Sequence, residues 1–340
     1  MASNISPPAV QGVFALHVIV TVLAFLLTLL IITLALLLFL RRSSRHRSNR
    51  TSPKGTFAFL FPGALCLAIA QAATAASVAQ QANNSSPASI THAFSLHYPG
   101  SNNASSASTT SINLSFLNAF AFILSTVSLN GAAWLHASHA TSNGLAVGQP
   151  SRLSIAGNTF LLAAMLGTGF ASWGLTIAAD TPNERYGNVL QDDTTSAILY
   201  TVFRACVVGS SISVSIEAIR RFVQVKNHSP RDVRFHSSSP SNPKNFTQLT
   251  NHPKPQASER PILSRLALLV VPVILLRSVF ILLDIALLWT SYSDWSAAAQ
   301  DAVAFLLIIF GPYAELWVFA FVCWGGWGMA RLRKDAGVGM

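Results

Sequence analysis

Six ionisable side chains fall inside otherwise apolar stretches of this chain: Arg204, Glu217, Arg277, Asp284, Asp301 and Glu315. A lone charge at membrane depth costs at least about 2.5–3.5 kcal/mol on insertion scales, so such groups turn toward a protein interior or a wet cavity and find partners there. A carboxyl group in an apolar hollow holds its proton more tightly and can donate it. Aromatic faces beside it stabilise a cation, and Tyr313 and Trp317 flank Glu315 in sequence. These residue types point to an acid at the base of an aromatic cavity, able to protonate an alkene or epoxide on a prenyl chain and to shelter the resulting carbocation. The candidate catalytic acids are Asp284, Glu315 and Asp301, with Arg277 and Arg204 as charge partners and Tyr313 and Trp317 as cavity aromatics.

Each residue also has a plainer reading. Glu217 abuts Arg220 and Arg221 and fits an interfacial charge. Asp301 fits a solvated carboxylate at a helix start, favoured by the macrodipole. Arg277 and Glu315 fit a buried ion pair between helices, and Asp284 fits a partner for Arg204. No HExxH, GxSxG, P-loop or DDxxD pattern occurs. The acids of DTPNER and QDDTT lack metal-ligand spacing, and His17, His92, His97, His136 and His139 are scattered near the ends of apolar runs. No metal and no cofactor are implied. Cys66, Cys206 and Cys323 lie inside apolar runs, which excludes a disulfide framework and a CxxC site.

The elements that must position these groups follow from composition. Of 340 residues, 51% are hydrophobic and only 10% charged, where a soluble protein carries roughly a quarter. About 20 apolar residues cross a bilayer core, and seven such runs occur, at about 13–40, 56–78, 114–136, 154–178, 196–218, 266–289 and 298–327. The first is too long for a signal-peptide core and reads as a retained span. The fold class expected is a polytopic, all-α seven-helix bundle.

The net charge of +10 is explained by topology. Nineteen of the 22 lysines and arginines fall in the loops after spans one, three and five and in the tail, all on one side. The positive-inside rule then predicts the N-terminus outside and the C-terminus in the cytosol, in the endoplasmic reticulum or plasma membrane. Nucleic acid is excluded as a partner; membrane lipid and a hydrophobic prenylated small molecule are the partners expected. The outside loop 79–112 is rich in Asn and Ser and holds glycosylation sequons at Asn83, Asn84 and Asn103. The basic, polar tract 219–265 is expected to be a disordered cytosolic loop. Counting the rise per residue puts Arg277 roughly 18 Å, Asp284 roughly 8 Å and Glu315 roughly 25 Å below the outer surface of the core. Arg277 and Asp284 share one helical face, as Asp301 and Glu315 do at a spacing of fourteen. Pro272, before Arg277, and Gly311-Pro312, before Glu315, are expected to kink their spans and help open a pocket. The glycines Gly167, Gly169 and Gly174 read as close-packing positions of span four.

The stretch RPILSRLALLVVPVILLRSVFILLD (260–284), followed by PYAELWVFAFVCWGG (312–326), resembles the end of a fungal seven-span family known mainly as a domain of unknown function. Its pattern of a Pro and an Arg in span six and a Glu in span seven is matched by Pro272, Arg277 and Glu315. In size and layout the chain is also similar to the membrane-bound terpene cyclases of fungal meroterpenoid pathways, including the ascofuranone type. That likeness implies acid-initiated cyclisation of a prenylated, often epoxidised, precursor. Two other functions fit seven spans with internal charge: a lipid or small-molecule exporter with a charge relay or gating pair, and a receptor-like protein coupling through the basic tract.

Overall fold

The computed structural model describes residues 7–40, 54–83, 109–139, 152–180, 189–227, 264–290 and 295–336. They form seven long helices: α1 (Pro7–Leu40), α2 (Lys54–Asn83), α3 (Thr109–His139), α4 (Arg152–Asp180), α5 (Val189–Asn227), α6 and α7. The sixth, α6, opens with a π-helical segment, Leu266–Val270, and continues as Val271–Leu288. The seventh, α7, comprises Ala297–Ile308, a π-helical segment Ile309–Tyr313 and Ala314–Ala336. Each of the seven is long and apolar enough to cross a membrane, which makes this a multi-pass membrane protein by length and composition. The fifth helix runs on through 219–227, so that part of the tract expected to be disordered is helical. Residues 84–108, with Asn84 and Asn103, and residues 228–263 lie outside the described residues, and Asn83 is the last residue of α2.

Packing follows the rules of an apolar solvent. The most apolar helix, α1, turns Phe14, Val22, Phe25, Leu26 and Leu30 outward. The central helix is instead α3, whose buried side chains include Asn118, Ser125, Thr126 and Asn130. Lipid tails are as apolar as leucine, so helices associate through close packing and polar contacts. The hydroxyls of Thr28, Thr74, Ser215 and Ser278 each donate to the carbonyl four residues earlier, which satisfies them inside their own helix. The tightest helix pairs are α2 on α3, α4 on α5 and α1 on α2. Two apolar clusters result. One joins α1, α2, α3, α5, α6 and α7 around Leu60, Leu67 and Phe319. The other joins α2, α3, α4, α5 and α6 around Phe122, Met165 and Phe203.

Small residues set the closest approaches. A Cβ on Gly63 would lie 2.7 Å from Phe319 Cζ and 2.8 Å from Ser128 Cβ, so α2 contacts α3 and α7 there through bare backbone. Of the three glycines expected to pack α4, Gly169 does so, with a Cβ meeting Ile123 Cγ2 at 2.9 Å. Gly167 and Gly174 face open space, because one helix face carries the contact and these two point elsewhere. Gly63→Ala is therefore expected to destabilise the protein by about 1–3 kcal/mol through overpacking. Gly167→Ala should be neutral or slightly stabilising. Thermal unfolding in detergent, followed by tryptophan fluorescence, compares the two.

Candidate functional site

Charged groups from α5, α6 and α7 converge on one cavity. Arg204, Arg277, Asp284 and Glu315 all line it, together with His17 from α1, Phe122 from α3, and the apolar side chains of Phe280, Ile281, Leu307, Ile308 and Phe310. It offers about 50 Å³ to the centres of water-sized spheres, room for a few waters. Two local rules aim the side chains. The spacing of seven between Arg277 and Asp284 keeps both on one face of α6. The prolines loosen the wall: Pro272 follows directly on the π-helical start of α6, and Pro312 sits inside the π-helical segment of α7. Gly311 and Pro312 are themselves lining residues. A π-helical turn spreads a helix by one residue and recurs at functional sites.

Both acids are held by arginines. Arg277 Nη2 donates to Glu315 Oε1, joining α6 to α7, and the two residues are only 2% and 1% exposed. Thr126 of α3 donates to the same oxygen at 3.3 Å. Arg204 Nη2 donates to Asp284 Oδ2 at 2.6 Å, joining α5 to α6, while its Nε donates to the Tyr200 hydroxyl at 2.8 Å. The Arg204 guanidinium also lies over the Phe122 ring, 4.7 Å from its centroid. Asp284 is the wetter partner, its side chain 23% exposed. The other carboxylate oxygen of Glu315, Oε2, is buried and has no hydrogen-bond partner among the described residues. A buried acceptor without a donor costs free energy, so this atom is the least satisfied point of the site.

The structure separates some of the expected cavity residues from the rest. Trp317 is 52% exposed and stacks on Phe321, 5.7 Å between centroids, outside the cavity lining. Tyr313 does not line it either. The reason is helix phase: residues two before and two after Glu315 are rotated about 200° from it. The aromatic wall is made by Phe122, Phe280 and Phe310, the last two stacked at 4.1 Å across α6 and α7. Asp301 is absent from the lining too. Its spacing of fourteen from Glu315 puts both on one face only of an uninterrupted α-helix. The π-helical segment between them adds the equivalent of one residue and turns the two halves by roughly 100°.

Several neighbours carried no signal beforehand. His17 reaches the cavity and its Nδ1 lies 2.8 Å from Gln71 Oε1 on α2. Tyr200, four residues before Arg204, was legible only as a helical neighbour once the arginine was known. Glu217 takes a hydrogen bond from Arg221, which also donates to the Ser138 carbonyl on α3 at 3.1 Å, so this pair is a largely buried clasp between α5 and α3. Among the described residues no group of three or more His, Cys, Asp or Glu is placed to hold a metal ion. No known protein family, curated protein or solved structure matches this chain.

Breaking a buried pair from one side strands the other charge, which costs about 3–5 kcal/mol, whereas replacing both by apolar groups of similar volume is close to neutral. Glu315→Gln is expected to lower the melting temperature strongly, and Arg277→Met with Glu315→Leu to restore most of it. The more exposed Arg204–Asp284 pair should show a smaller loss in Asp284→Asn. Thermal denaturation of the three purified variants beside the unaltered protein in lipid nanodiscs reads the comparison.

Proposed function

We propose that this membrane protein, with its N-terminus outside and its C-terminus in the cytosol, takes a small amphiphilic molecule into the hollow beside α1, α6 and α7 and moves it across or out of the bilayer. The observation that carries this reading is Glu315, which lines the cavity: one of its oxygens is clamped by Arg277, and the other is buried with no hydrogen-bond partner among the described residues. That bare oxygen is an acceptor for a hydroxyl or ammonium group of the ligand, whose apolar part is covered by Phe280, Leu307, Ile308 and Phe310. At about 50 Å³ the cavity holds no such ligand while closed, since small-molecule pockets run to roughly 300 Å³ and more. Admission therefore requires α6 and α7 to part, and their π-helical segments supply places to bend. Arg277–Glu315, which ties these two helices together, is the gating pair. Orientation is supported by the basic residues gathered in the loops of one side.

Efflux from cells loaded with a lipophilic amine and, separately, a short-chain fluorescent phospholipid tests this. Cells expressing the protein should release at least one probe faster. Arg277→Glu or Glu315→Arg alone should abolish the difference. Equal efflux with and without the protein for both probes, or unimpaired single variants, contradicts the reading.

A second reading, cyclisation of a prenylated or epoxidised precursor initiated by an acid, is favoured by the aromatic faces of Phe122, Phe280 and Phe310 around Glu315. Weighing against it, Asp284 and Glu315 are each already engaged by a guanidinium. Membranes containing the protein, supplied with epoxy-prenyl phenols, should on this second reading form a cyclic product that Glu315→Gln and Asp284→Asn abolish.

A further inference from the structure

A second cleft opens at the other end of the bundle, where α6 begins and α7 approaches its close. Its walls include His136 of α3, Arg265, Leu266 and Val270 at the start of α6, and Phe321 and Trp324 of α7. At its edge the His136 ring packs against the bare backbone of α7: a Cβ on Gly325 would lie 2.4 Å from His136 Nε2. Arg204, Arg221 and Arg277 are each engaged by a carboxylate. Arg265 is exposed and has no acidic partner among the described residues; its guanidinium instead lies over the Trp324 indole, 4.8 Å from the ring centroid.

From this arrangement we infer that the cleft binds the phosphate of an anionic phospholipid, with Arg265 as its principal donor and Trp324 holding the guanidinium in place. The chemistry is complementary at three points. A guanidinium stacked on an aromatic ring keeps its N–H edge free, and that edge matches two phosphate oxygens at once. Trp324 is 54% exposed, and tryptophan settles at the headgroup level of a bilayer. Below the arginine, buried Leu266 and Val270 and half-buried Phe321 continue the cleft as apolar wall, the surface an acyl chain would follow. Exposed Arg220, near the close of α5, adds a further positive charge toward the same end, and such charge draws anionic headgroups. Basic pockets between membrane helices are recurrent sites for such lipids. Its basis is independent of the Glu315 cavity, and it stands or falls separately from the transport reading.

The test uses the full chain in detergent, with native mass spectrometry and thermal stability as readouts. Probes are dioleoyl phosphatidylglycerol, dioleoyl phosphatidylcholine and inorganic phosphate. Phosphatidylglycerol is expected to be retained in preference to phosphatidylcholine and to raise the melting temperature. Arg265→Ala should weaken its retention about five-fold, Trp324→Ala should weaken it as well, and Arg220→Ala should weaken it less than either. Both principal substitutions are at exposed positions, and an unchanged lipid-free melting temperature shows that they fold. Equal retention of the two lipids, an equal loss in Arg220→Ala, or stabilisation by inorganic phosphate as large as by phosphatidylglycerol would each overturn the assignment.

Discussion

The charge pair between Arg277 and Glu315 is the constraint around which the last helices are arranged. In a low-dielectric interior neither group can stand alone, so α6 and α7 must meet where these residues meet, and α3 must bring Thr126 to the same oxygen. Arg204 and Asp284 repeat the device between α5 and α6. The two pairs fix three helices to one another at two levels about 10 Å apart along α6, and the space they fail to fill is the cavity. Its walls are mixed by necessity, with ion pairs on one side and phenylalanine and leucine on the other.

Satisfaction is uneven inside this arrangement. Arg204 has a tyrosine, a carboxylate and two aromatic faces around it, which describes a group locked in place. Glu315 has one oxygen shared between two donors and one with none. Buried polar networks that are complete rigidify a core, and incomplete ones mark places where something else belongs. The incomplete oxygen belongs to a residue two positions past the π-helical segment of α7, which holds Pro312 and gives that helix a place to bend. A weak point in hydrogen bonding beside a weak point in helix geometry is the physical basis for treating this hollow as a working site.

Much of the architecture was readable beforehand because membrane helices announce themselves by uniform apolarity. The starts and ends of α6 fall within one residue of the expected 266–289, while α5 overran its apolar run by several residues at each end. The charged lining residues Arg204, Arg277, Asp284 and Glu315 were legible because an ionisable group in such a run has no harmless explanation. The aromatic lining was not. The chain has 21 phenylalanines, and in a helix apolar all round no period says which of them turns inward. Proximity in sequence misled at Tyr313 and Trp317, which adjoin Glu315 along the chain and lie across the helix from it. Asp301 shows a further limit: a face drawn over fourteen residues assumes an unbroken α-helix, and the Gly-Pro that was read as a kink also shifts the phase.

The most direct check on the central pair is infrared spectroscopy of the lipid-embedded protein near neutral pH, with the Glu315→Gln spectrum subtracted. Charge pairing with Arg277 requires that the difference show a lost carboxylate band and no lost band from a protonated carboxyl. A protonated carboxyl signal assigned to Glu315 would contradict the pairing and return the site to acid chemistry.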